Sequence, residues 1–291
     1  TGVLDAMLEK DLMADYVVGV SAGIAYGVSY ISRQPRRNLE ILARFVNDRR
    51  YMGLKNLVDR HNRSYFGLEF SYETIPNELV PFDYDTFAAY PGGVEAVVTN
   101  LDTGKAEYME VPRRDEKFLL LQATCALPLM FPIYYLDGKP YLDGGVADAI
   151  PYRRAFEQGC DRVVVLLTKP RSFVRGAEKL QPVIERRYRQ YPNFCQAMRD
   201  RAEKYNQDRA ELFQLEKEGP GLCPRFPPRR GPHRAQCREA AHAVGRRVSA
   251  RHGAHGGPAL LYGPLIFSGA SRASSARESP STVKNMAMRV I

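Results

Sequence analysis

Apolar positions along the first two thirds of the chain recur with two periods. Val3, Leu4, Met7 and Leu8 fall at helical spacing and predict an opening helix. Tyr16, Val17, Val18 and Val20 form a short apolar, β-branched run and predict a buried strand. Ile24, Val28 and Ile31 then return at spacings of four and three, which predicts a helix directly after it. Further on, Leu39–Val46 predicts a helix and 49–72 a loop-rich stretch with a short helix near Tyr51–Val58. The segment 81–90 begins like a capped helix.

Gly93–Asn100 and Lys105–Val111 predict two strands around the turn Leu101-Asp102-Thr103-Gly104. Phe118–Ala126 predicts a helix that stops before Pro128. Ile133–Leu136 and Pro140–Leu142 predict a small hairpin around Asp137-Gly138. Tyr152–Gln158 is a helix ended by Gly159, Arg162–Thr168 is a buried strand, and helices follow near 180–190 and over 194–218. Strands alternating with helices predict an α/β domain with a mostly parallel sheet.

Charge divides the chain of 291 residues. From Pro220 to the end there are 12 Lys+Arg and 2 Asp+Glu, whereas residues 1–219 hold 30 and 31. The net charge of +9 is therefore a property of the tail alone. That tail has no Asp, eleven Arg against one Lys, and much Pro, Gly, Ala and Ser. Its one apolar patch, Ala259 to Phe267, is broken by Gly263 and Pro264. Three readings stay open: a product of out-of-frame translation of GC-rich coding sequence, a plain flexible extension, or a basic arm for nucleic acid or anionic lipid. All three predict that it lacks order. Its aromatics are only Phe226, Tyr262 and Phe267, too few for a base-stacking platform, so nucleic acid is not expected as a partner.

Five cysteines, an odd number without metal-ligand spacing, predict buried thiols in a reducing, cytoplasmic setting and no metal site. No apolar run reaches the roughly 18 residues of a membrane span. No cofactor motif is present.

The candidate chemistry sits at the strand-to-helix junction, in Val17-Val18-Gly19-Val20-Ser21-Ala22-Gly23-Ile24. Ser21 is centred in G-x-S-x-G, with Gly19 and Gly23 permitting a sharp turn that holds the hydroxyl up. The Ala22 N–H would face a developing oxyanion at the helix start. A triad would need a histidine, and residues 1–219 contain only His61, in the polar loop RHNRS. The tail histidines His233, His242, His252 and His255 lie in a segment unsuited to holding an imidazole in place. A carboxylate is the other candidate base. Asp143 follows a predicted strand and precedes Gly144 and Gly145, which leave space above it.

Taken together, the elbow, the segment Ala-Thr-Cys-Ala-Leu-Pro-Leu-Met-Phe-Pro (123–132) and Tyr-Leu-Asp-Gly-Gly (141–145) followed by Pro151 resemble the patatin-like phospholipase family. The resemblance implies a three-layer α/β/α patatin-like fold and a Ser–Asp dyad without histidine, with Ser21 as nucleophile and Asp143 as base. It implies lipid esters as substrates and peripheral contact with a membrane. With the change in composition at Pro220, it leads to an expected division into a phospholipase domain over 1–170, a helical extension over 171–219 and the tail over 220–291. The family's glycine-rich oxyanion loop precedes a helix like the opening one, where this chain begins, so a catalytically impaired fragment of the same fold is the rival expectation. Leu127–Tyr135 is expected either to line an acyl pocket or to pack in the core.

Overall fold

A computed structural model describes residues 1–218 apart from 60, 61 and 161, together with the backbone of 265–268 and 289–290. The opening helix α1 (Gly2–Glu9) leads into β1 (Tyr16–Val20), whose five residues are all buried, and then into α2 (Ala22–Ile31). Helices α3 (Arg37–Phe45) and α4 (Leu54–Val58) follow. A π-helix spans Phe70–Leu79, a stretch without a predicted element because Pro76 lies inside it and no helical apolar period runs through it. Next come α5 (Tyr84–Ala89), capped by the Asp83 carboxylate, then β2 (Gly93–Asn100), β3 (Ala106–Glu110) and α6 (Leu119–Thr124). The hairpin β4 (Tyr134–Leu136) and β5 (Lys139–Asp143) turns at Asp137 and Gly138, both at positive φ. The remaining elements are α7 (Tyr152–Glu157), β6 (Val163–Leu166), α8 (Gln181–Arg187), α9 (Pro192–Glu218), β7 (Leu265–Ser268) and β8 (Arg289–Val290).

The sheet is mixed. β1 runs parallel to β2, and β6 parallel to β8, while β3, β5 and β7 are antiparallel to their neighbours. β1, β2, β4, β6 and β8 thus share one direction. Alternate side chains feed two cores on opposite faces, as a strand's period of two dictates. Val17, Val94, Ala96 and Val98 pack with α1, α2 and α6 on one face. Val18, Val20, Val97, Val163 and Val165 pack with α7 and with Tyr205 and Leu212 of α9 on the other. This is an α/β fold with helices on both faces.

Part of the tail departs from the expectation of no order. Leu265–Ser268 lies between β1 and β6, pairing with both, and Arg289–Val290 extends the sheet beyond β6. The strand coincides with the end of the one apolar patch, just past the breakers Gly263 and Pro264, where two facing strand edges offer it a full set of backbone partners. Apart from these two strands, the tail lies outside the described residues.

The register of β2 decides where the site forms. Residues 95–97 pair with β1 and with β3, which therefore lie on opposite edges. Residues 98 and 99 pair with β3 and with β5, so β5 shares an edge with β1. β1 ends at Val20, opposite Val97, and β5 ends at Asp143, opposite Val98. The two strands thus meet end to end along one side of β2.

Candidate active site

Ser21 follows β1 directly and caps α2, with φ 53° and ψ −133°. For a residue with a side chain that backbone costs on the order of 1–3 kcal/mol and persists only where the surroundings impose it. Here they do. The Ser21 N–H donates to Thr124 Oγ1 at 3.0 Å, and the Thr124 hydroxyl in turn donates to the Val97 carbonyl. Thr124 is fully buried, so α6 fixes the elbow against β2 through one side chain. Ala22, as first residue of α2, has an N–H with no intrahelical acceptor.

Asp143 is held just as firmly. Its N–H donates to the Ala126 carbonyl at 2.8 Å, and its own carbonyl accepts from Thr99 Oγ1 at 2.8 Å. Asp143 Oδ1 accepts the Gly145 N–H at 2.7 Å. Gly144 is required by a close approach: a Cβ there would sit 2.1 Å from the Val97 carbonyl oxygen. Asp143 Oδ2 is buried without a hydrogen-bond partner.

Burial dominates the Asp143 carboxyl and raises its pKa. Arg201, the Ser21 hydroxyl, the Gly145 N–H and Arg175 work against that shift. The Ser21 hydroxyl is near enough to act on the carboxyl, yet it makes no strict hydrogen bond with it, which leaves Oδ2 open. Beside the pair lies Cys125, whose thiol burial pushes up to about 12, and burial likewise carries the Tyr72 hydroxyl well above its usual range. Both groups are therefore neutral at physiological pH.

A cavity of about 150 Å³ opens from Ser21, mostly apolar and lined by Tyr72 and Ile75 of the π-helix, Phe66, Leu121, Cys125 and Phe131. Of the 127–135 segment, Leu127 and Phe131 line it, Tyr134 packs in the core, and Tyr135 is exposed. The stretch thus divides between the wall of this cavity and the core. The contribution of Tyr72 and Ile75 had no signal in the sequence, because their element had none. His61 and the four tail histidines lie outside the described residues.

The site thus combines a serine on a positive-φ elbow, a buried carboxylate beside it and an apolar cavity, all carried by an α/β fold. A model of the patatin-like phospholipase family matches residues 1–156, and the chain belongs to that family, one of lipid acyl hydrolases. An Escherichia coli (strain K12) protein described as "Uncharacterized protein YjjU" is similar to it, with 28% identity over 183 residues that cover 58% of this chain and 48% of that protein. The chain thus spans about half the length of this curated relative.

Proposed function

We propose that the protein hydrolyses lipid acyl esters through a Ser21–Asp143 dyad. The observation that carries this reading is the end-to-end meeting of β1 and β5 on β2, which delivers the strained serine and the unsatisfied carboxylate to one place. Ser21 Oγ attacks the ester carbonyl carbon while its proton passes to Asp143 Oδ2. The Ala22 N–H stabilises the oxyanion, aided by the start of α2. Collapse of the tetrahedral intermediate returns the proton to the leaving alcohol and leaves an acyl-enzyme, and water then reverses the sequence to release the acid. The apolar cavity receives the acyl chain.

A basic stretch that contributes Arg37, Asn38, Ile41 and Tyr51 to the cavity suits an anionic bilayer. Residues 33–63 hold nine Lys+Arg and three Asp+Glu, although residues 1–219 as a whole are near neutral. Within this stretch α4 leaves Leu54 and Val58 75% and 82% exposed, one turn apart, while Tyr51 beside it lines the cavity. Exposed apolar side chains within a basic stretch insert into anionic lipid surfaces. Among the described residues no helix is long and apolar enough to cross a membrane.

The test is covalent labelling with a serine-directed fluorophosphonate. Wild type is expected to label at Ser21, and Ser21→Ala to abolish both labelling and ester turnover while keeping the fold. Labelling elsewhere, or turnover by the alanine variant at more than a small fraction of the wild-type rate, overturns the assignment.

A further inference from the structure

Two arginines approach the site from the face opposite the acyl cavity. Arg201, on α9, donates from Nε to the Gly145 carbonyl at 2.8 Å. Its guanidinium also comes within 3.8 Å of where a Gly145 side chain would stand. Arg175 lies on the segment between β6 and α8. Its backbone is clamped to α9 twice, its N–H donating to Asn206 Oδ1 at 2.8 Å and its carbonyl accepting from Asn206 Nδ2 at 2.9 Å. Its guanidinium stacks on the Tyr205 ring, 4.5 Å from the centroid. Tyr205 is one turn beyond Arg201 on α9, so one helix face presents both cations together.

Among the described residues neither arginine forms an ion pair, and Arg175 Nε is buried with no partner. Each is close enough to act on the Asp143 carboxyl, and Arg201 disfavours the charge on Arg175. Glu178 and Asp143 are the carboxylates that favour that charge. Two like charges, held side by side and part-buried, are costly unless an anion completes them. Asp143 offsets them only until it accepts the serine proton.

We propose that Arg175 and Arg201 form an anion subsite beside the Ser21–Asp143 pair, which receives a phosphate-type group carried on the leaving alcohol of the ester. The planar forks of two arginines match a tetrahedral oxyanion of this kind. The subsite lies across the dyad from the acyl cavity, so one substrate would place its acyl chain on one face of the sheet and its anion on the other. This inference rests on the acyl-hydrolase reading above and assigns a direction to the substrate.

Its test compares two monoacylglycerol esters of equal chain length, one with a phosphate on the glycerol and one without, in wild type, Arg175→Gln and Arg201→Lys. The expected result is a wild-type preference in kcat/KM for the phosphate-bearing ester that falls about tenfold or more in Arg175→Gln and less in Arg201→Lys, which keeps the charge. Calorimetric binding of inorganic phosphate to the full-length Ser21→Ala chain, lost on adding Arg175→Gln, supplies a readout without turnover. Phosphate binding with no change in ester preference would assign the subsite to free phosphate and overturn the headgroup role. No binding, with an unchanged preference, overturns the subsite altogether. If wild type hydrolyses neither ester yet binds phosphate, the hydrolase reading fails while the anion site stands.

Discussion

Val20 and Asp143 face consecutive residues on one edge of β2, Val97 and Val98. Ser21 and Asp143 are therefore not brought together by a flexible loop. Ser21 directly follows the last residue of β1 and Asp143 is the last residue of β5, and the ladder of a third strand sets the distance between them.

The first prediction concerns the base. Asp143→Asn keeps shape and removes basicity, so kcat is expected to fall by about 10²–10⁴, while replacing His61 changes little. A His61 variant as inactive as the Asp143 variant would restore a histidine triad.

The pH dependence has a definite sign. The proposed dyad needs the Asp143 carboxylate ionised, and burial raises its pKa. The acid limb of kcat/KM should therefore lie above the ordinary carboxylate value of about 3.9. An acid limb at or below that value would mean that the neighbouring arginines outweigh burial.

The same shift has a consequence for stability. A carboxyl whose pKa is raised by folding favours the native state below its unfolded pKa and loses that contribution as pH rises through the folded pKa. Asp143→Asn should accordingly raise Tm near pH 8, with the gain disappearing by about pH 4. Calorimetry at the two pH values decides this, and a gain that grows towards acid would contradict it.

Two clamps should be separable from the chemistry. In Gly144→Ala, the new methyl would meet the Val97 carbonyl oxygen at 2.1 Å. Loss of stability and of turnover together is expected, because the Asp143 loop must shift. In Thr124→Val, the Ser21 N–H and the Val97 carbonyl both lose their buried partner, at about 1–3 kcal/mol for each such group. Urea unfolding and fluorophosphonate labelling rates measure the two effects. Wild-type labelling by Thr124→Val would show that the elbow does not depend on the clamp.

The membrane-facing reading predicts a split between substrates. Leu54→Ser with Val58→Ser should lower hydrolysis of esters in anionic vesicles severalfold and leave a soluble short-chain ester unaffected, since both side chains already face water. Equal losses on both substrates would place α4 in folding rather than docking.

What was legible in the sequence follows from local physics. Ser21 at a strand-to-helix turn and Asp143 at a strand end are marked by glycines, and at Gly144 the structure supplies the reason, a backbone oxygen with no room beside it. Thr124 was visible within a motif, but its partners lie 27 and 103 residues away, and nothing local states that pairing. The π-helix was hidden by Pro76. Arg201 was hidden by its setting, because a charged side chain on a charged helix reads as solvated. Leu265–Ser268 was obscured by the composition around it, although its own residues favour a strand.

Oδ2 of Asp143 is one of the buried polar atoms without a close hydrogen-bond partner. In the dyad proposed above, an acceptor walled off from water gains a partner at the moment it takes the serine proton. Natural selection for a more stable chain would press to fill that vacancy, and selection for turnover would press to keep it.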